Sequence, residues 1–198
     1  MGLICSAREL AQKLEQGEAA IFPTDTLPAL SAKPESASLL WELKGRPRQK
    51  PVILMAADPD ALFNGLDVAI EPAWREMAHR YWPGALTLVL PAQGRLLKLL
   101  HPGGVSLGLR VPNCSDALAL LRCTGPLATT SANRSGEPAC LNAEEARERF
   151  PLVPQLGPLP WPEPSGLGST VIAWKPSGGW ELLRKGAVMP AELKGATG

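Results

Sequence analysis

The 21 prolines and 19 glycines of this 198-residue chain fall mainly in short clusters, not in one low-complexity tract. Each cluster stops whatever helix or strand runs into it. The chain is thereby cut into many short elements joined by shaped loops. Its length suits one domain with a sizeable core, and 45% hydrophobic with 20% charged residues is ordinary for a soluble globular protein.

The punctuation also marks where chemistry sits. Leu127 and Ala128 read as the end of a buried strand that breaks into Thr129, Thr130, Ser131 and Asn133, side chains that donate and accept hydrogen bonds without charge. Such a loop suits a polyanion or zwitterion, although Ser, Asn and Gly also fill ordinary turns. Residues 19–22 form a second apolar strand, which runs into Pro23, Thr24, Asp25 and Thr26. Ligands tend to sit at such carboxyl ends in open α/β sheets.

A helix carrying Leu39, Leu40 and Leu43, with Ser36 as its expected cap, leads to Lys44, Arg46, Arg48 and Lys50. Two prolines and a glycine fix the path of that segment, so its cations point in set directions, as phosphate ligands require. Arg110 closes the alternating strand of residues 106–111 beside Pro112. A lone arginine there calls for an anionic partner.

The remaining elements follow from period and caps. Ser6 and Glu9 have capping-box spacing ahead of Leu10 and Leu14. Trp74, Met77, Ala78 and Tyr81 lie on one helical face, residues 52–56 and 86–90 are apolar strands, and Ser115 and Asp116 open a helix through Leu121. Asn142 with Glu145 starts another helix. Six prolines in residues 151–168 point to an extended covering loop. Residues 169–174 and 180–184 form a hairpin, and the last dozen residues a short helix or frayed tail.

Several classes are disfavoured. A net charge of +1 gives no global case for nucleic-acid or membrane binding, so any basic footprint is local. Cys5, Cys114, Cys123 and Cys140 form no CxxC pair, and His79 and His101 are the only histidines. Reduced cysteines without a dedicated zinc site are expected. With no leader-like amino terminus and no apolar run of membrane length, a soluble cytoplasmic protein is expected.

The polar strand exits PTDT (23–26), KGRPRQK (44–50), LRVP (109–112), TSAN (130–133), ST (169–170) and LLRKG (182–186), with WPGALTLVL (82–90), stand in an order that resembles the YrdC-like family of threonylcarbamoyl-AMP synthases. The resemblance implies a single α/β domain over residues 1–186 and a short tail over 187–198. Its fold is a twisted mixed sheet with helices and a large concave basic face. The implied reaction joins L-threonine, bicarbonate and ATP, with Mg2+ carried by ATP and no protein metal ligands. Its product is handed to a threonylcarbamoyl-transferring enzyme that modifies tRNA.

The family's KxR and SxN signature falls on Lys44, Arg46, Ser131 and Asn133 as the catalytic set. By the same matching Thr24, Thr26, Arg110, Thr129 and Ser169 would hold threonine and its carbamoyl group. Lys44, Arg46, Lys50, Ser106, Ser131, Asn133 and Arg184 would hold ATP. After PTDT this chain has Leu27, Pro28 and Ala29 where the family usually has a valine, an aromatic residue and glycine. Two other readings stay open: a non-catalytic module for double-stranded RNA or tRNA, and a divergent relative using another amine.

Overall fold

A computed structural model describes residues 3–193. Its ten strands are β1 (Ile4–Cys5), β2 (Ala20–Phe22), β3 (Ala29–Ala32), β4 (Ile53–Met55), β5 (Leu86–Pro91), β6 (Ser106–Arg110), β7 (Leu127–Ser131), β8 (Gln155–Leu156), β9 (Thr170–Trp174) and β10 (Trp180–Arg184). They form one mixed sheet in the order β1-β8-β2-β3-β7-β4-β6-β5-β9-β10. The helices are α1 (Ala7–Glu15), α2 (Ser38–Lys44), α3 (Pro59–Phe63), α4 (Pro72–Tyr81), α5 (Gly94–Leu100), α6 (Ser115–Thr124) and α7 (Ala143–Arg149).

The period-2 alternation of the central strands decides how the sheet is covered. Ala128, Leu54, Leu109, Leu88 and Ile172 are register neighbours across β7, β4, β6, β5 and β9, and all five are 0% exposed. They form the spine of the larger core, beneath Leu40 and Trp41 of α2, Phe63 of α3, Trp74 and Met77 of α4, Leu97 of α5 and Ala146 of α7. On the other face α1 and α6 cover only the β2, β3 and β7 side. There Leu10, Leu14, Leu120 and Leu121 pack on Phe22, Ala29 and Leu127.

Local chemistry explains most of the boundaries. Ser6 and Glu9 close the expected capping box on α1. Asn142 caps α7 by accepting from the Glu145 N–H at 2.9 Å. Ser36 does not cap α2, contrary to the sequence expectation. Pro34 opens a 3-10 turn over Pro34–Ser36, and Ala37 is already helical at φ −58°, so Ser36 sits inside the turn.

Residues 151–168 also depart from expectation, because they contain β8 between β1 and β2. Proline density allows this where the residues that donate are not proline. The Gln155 and Gly157 N–H groups reach Leu3 and Cys5 carbonyls at 2.9 and 2.8 Å, while Pro154 accepts from Ile21. The sequence reading passed over β1, β3, α3 and α5, which are short or lie next to loops.

Of the expected tail, residues 194–198 lie outside the described residues. Ala191–Leu193 is a 3-10 turn, with Glu192 paired to Arg80. Leu88→Ala, at the middle of the buried spine, should lower stability by about 3 kcal/mol, read as an earlier midpoint in urea unfolding with the same slope.

Candidate functional site

The half of the sheet face that α1 and α6 leave uncovered forms a cleft of about 460 Å³. Thr129, Ile53, Gly108 and Val89 are register neighbours along its floor. A Cβ at Gly108 would lie 2.7 Å from Ile53 Cγ2 and 3.4 Å from Thr87 Cγ2. Glycine keeps the floor open here, because a larger residue would crowd the Ile53 side chain.

At the carboxyl end of β6, Arg110 is 3% exposed and its guanidinium ties three segments together. Nε donates to the Gly84 carbonyl at 3.0 Å, Nη1 to Thr26 Oγ1 at 2.7 Å and Nη2 to Asp25 Oδ1 at 2.6 Å. Burial lowers its pKa, and Asp25 counters that shift. The anionic partner that the sequence calls for is therefore partly internal. Of the five guanidinium N–H donors, two stay free of these bonds. Thr24 does not line the cleft; its Oγ1 shapes the turn by donating to the Leu27 carbonyl at 2.7 Å and accepting from the Thr26 and Leu27 N–H groups.

Lys44, at the end of α2, is 4% exposed and stands behind the cleft wall. Its ammonium donates to the Ser131 carbonyl at 2.6 Å, the Asn133 carbonyl at 2.5 Å and Asn133 Oδ1 at 2.9 Å. Ser131 Oγ donates to the same Asn133 oxygen at 2.6 Å. Lys44 and Asn133 thus fix the loop, while Ser131 lines the cleft. Burial and the neighbouring Arg46 lower the Lys44 pKa to about 8.

Arg46 lines the cleft, with Nη1 donating to Thr130 Oγ1 at 3.2 Å and Nη2 to the Pro51 carbonyl at 2.9 Å. Its buried Nε has no partner among the described residues. Across the cleft, Arg184 donates to the Ser169 carbonyl at 2.9 Å from Nη2, and Ser169 Oγ shares a hydrogen bond with Thr87 Oγ1 at 2.7 Å. Burial lowers the pKa of both arginines.

The cleft also takes in Thr26, Thr129 and Ser106, and the buried Thr129 hydroxyl has no protein partner. Lys50 stands apart from the cleft lining on an exposed turn, its carbonyl accepting from Trp41 Nε1 at 2.8 Å. Thr87 and His101 line the cleft and were not singled out as site residues, and Thr130, read in the hydroxyl-rich loop without an assigned role, lines it too. Thr87 carried a signal: it is the polar residue facing away from Leu86 and Leu88 in an otherwise apolar strand.

Among the described residues Lys44, Arg46 and Arg184 have no carboxylate partner, whereas Arg110 has one. Lys44 is buried, Arg46 half-buried and Arg184 exposed at the rim, and a cation drawn out of water without a counter-charge is stabilised when an anion meets it. The architecture is that of an open α/β domain with cations and hydroxyls around one cleft, an arrangement suited to anionic ligands. The family model described as "Telomere recombination" (Sua5, YciO, YrdC) matches residues 12–186, and the chain belongs to that family.

A threonylcarbamoyl-AMP synthase of Bacillus subtilis is 32% identical over 197 residues, covering 96% of this chain and 56% of the relative. One from Halorhodospira halophila is 35% identical over 167 residues, covering 79% of this chain and 87% of that protein. The structure of P. abyssi Sua5 complexed with L-threonine superposes with a TM-score of 0.85 at 30% identity, over 97% of this chain and 57% of that one. This chain thus spans little more than half the length of the Bacillus and P. abyssi proteins.

Asp25→Ala should destabilise the protein by about 3 kcal/mol, because it leaves a buried guanidinium short of its carboxylate; urea unfolding measures this. A bound polyanion favours the Lys44 ammonium, so binding takes up a proton where the free amine is neutral. Tripolyphosphate affinity should therefore weaken as pH rises above about 8. Calorimetric titration across that range should find the dependence flattened in Lys44→Met.

Proposed function

We propose that this chain forms threonylcarbamoyl-AMP, with release of pyrophosphate, from L-threonine, bicarbonate and ATP. The observation that carries the reading is a hydroxyl-lined cleft bordered by the half-buried Arg46 and the more exposed Arg184, neither with a carboxylate partner among the described residues, with the buried Lys44 behind its wall. The names of the relatives support the same chemistry, and P. abyssi Sua5 is a protein crystallised with L-threonine.

The reaction asks little covalent chemistry of the protein. The neutral amine of threonine attacks the carbon of bicarbonate or of carbon dioxide derived from it, and water leaves. A carbamate oxygen then attacks the α-phosphorus in line, and pyrophosphate departs. In this reading Ser131 is no nucleophile, because its hydroxyl donates to the Asn133 amide oxygen and the neighbouring Lys44 ammonium is spent on the Ser131 and Asn133 oxygens. Holding the three reactants in register can supply on the order of 7–11 kcal/mol of the barrier.

In this reading Arg46 and Arg184 meet the phosphates and the leaving pyrophosphate. The two remaining N–H groups of Arg110, with Thr26, hold the threonine carboxylate. Thr129 and Ser169 meet the carbamoyl end, and Ser131 and Ser106 the nucleotide. Lys44 and Asn133 act by holding Ser131, and Thr24 by shaping the turn that carries Thr26. The exposed Lys50 is left to meet phosphate from outside the cleft.

Mg2+ fits as an ion carried by ATP, with phosphate oxygens and water as ligands. Asp25, the carboxylate beside the cleft, is committed to Arg110. Among the described residues no three His, Cys, Asp or Glu side chains group as a metal site, and no helix is long and apolar enough to cross a membrane. The product would serve threonylcarbamoyladenosine formation in tRNA through a separate transferring enzyme, a role that suits a cytoplasmic protein.

The test is pyrophosphate release from ATP and Mg2+, with and without bicarbonate and threonine, and mass detection of the adenylate. Release that requires both co-substrates is expected; release without them, or none despite ATP binding, overturns the assignment. Arg46→Ala should reduce kcat/KM by about 100-fold while unfolding at the wild-type midpoint.

A further inference from the structure

His101 lines the cleft, and none of the roles above uses it. Its ring is held from two sides. Nδ1 lies 2.8 Å from the Ser106 carbonyl oxygen, and because a carbonyl only accepts, Nδ1 carries the hydrogen. The backbone of Gly104 lies against the ring so closely that any Cβ there would overlap it. The residue itself is anchored by its N–H to the Leu97 carbonyl at 2.8 Å. Val52 N–H, at the start of β4, reaches the Leu100 carbonyl at 3.2 Å.

With Nδ1 committed as a donor, the neutral imidazole presents Nε2 as a lone-pair acceptor. No protein group among the described residues is hydrogen-bonded to it. In that form its partner is a donor. In a nucleotide the phosphate oxygens of the ionised chain only accept, whereas the ribose hydroxyls and the exocyclic amine of adenine donate.

The layout of β6 agrees. Ser106 and Arg110 bracket Gly108 on the cleft side, roughly 13 Å apart at 3.3 Å per residue. Arg110 closes one end of β6, and His101 stands with Ser106 at the other. Pro51 lines the same cleft and holds Arg46 through its carbonyl, so a phosphate-binding cation borders the His101 end.

We infer that His101 Nε2 accepts a hydrogen bond from the nucleoside half of the bound nucleotide and so fixes which end of the cleft the nucleoside occupies. The inference rests on the reading of the cleft as an ATP site. It assigns His101 to recognition of nucleoside donors, with no contact to the phosphates.

The test uses the whole chain and compares calorimetric affinities for MgATP and for magnesium tripolyphosphate. In His101→Asn the side-chain amide still reaches the Ser106 carbonyl but the Nε2 acceptor is gone; His101→Gln restores an acceptor near that position. His101→Asn should weaken ATP binding by about tenfold and leave tripolyphosphate unchanged, with His101→Gln closer to wild type. On the wild type, one of 2′-deoxy-ATP, 3′-deoxy-ATP and inosine triphosphate should lose a similar factor, and that loss should vanish on His101→Asn.

Equal weakening of ATP and tripolyphosphate would make the ring a phosphate contact and overturn the inference, as would unchanged ATP affinity in a folded His101→Asn protein. Should that variant fail to fold, the analogue series on the wild type decides: no loss with any of the three overturns it. A wild type that binds tripolyphosphate but not ATP would instead overturn the nucleotide reading, and this inference with it.

Discussion

Alternation along β4, β5, β6 and β7 is the constraint on which the other features of this protein depend. Successive side chains point to opposite faces, so placing Leu54, Leu88, Leu109 and Ala128 in the core places Ile53, Met55, Thr87, Val89, Gly108, Arg110 and Thr129 on the opposite side. A slip of one residue can put the Thr87 or Thr129 hydroxyl of β5 or β7, or the Arg110 guanidinium of β6, into the apolar spine. The buried face therefore sets the register, and the register sets the cleft. Because α1 and α6 cover only one side of that second face, the remainder is left to a ligand.

Electrostatics then separates two kinds of cation in the cleft. Arg110 is balanced by Asp25, and the pair ties β6 to the turn between β2 and β3. Lys44, Arg46 and Arg184 lean on carbonyl and hydroxyl oxygens instead. Carbonyl dipoles can orient a cation but do not neutralise it, and desolvation lowers the pKa of all three, the buried Lys44, the half-buried Arg46 and the more exposed Arg184. A cleft of this kind is under standing electrostatic tension that an anion relieves, which links the stability of the free protein to the chemistry of its ligand.

Much of this was legible in the sequence, in a way that follows the reach of each signal. Capping boxes, helical stripes and apolar strands act over a few residues, and α1, α4, α7, β5 and the β9–β10 hairpin appear where such signals stood. β8 was hidden because proline density argues against pairing, and only a three-dimensional partner shows that the two needed N–H groups are not on prolines. The polar strand exits were legible as exits, yet their division of labour was not. That Lys44 reaches Ser131 and Asn133 across almost ninety residues of sequence, that Asp25 answers Arg110, and that Lys50 points away are consequences of packing. Thr87 and His101 are single polar residues in apolar or glycine-rich surroundings, a pattern that ordinary turns and core hydroxyls share.

The rim between Thr24 and Ala29 shows why packing matters for a site that works by alignment. Its main chain is bound at each step. Thr24 holds the Leu27 carbonyl, Ala132 N–H reaches the Pro28 carbonyl at 2.9 Å, and Ala29 pairs with Ser131 in the ladder. Leu27, Pro28 and Ala29 therefore present a fixed wall to the cleft. The loop that Lys44 organises hangs on the same ladder through Ser131. Two walls joined by backbone hydrogen bonds can keep reactants in register without moving, and alignment is lost steeply when such a frame shifts by an ångström. The chemistry of the wall is carried by its side chains, but its position is carried by main-chain bonds that side-chain substitution leaves in place.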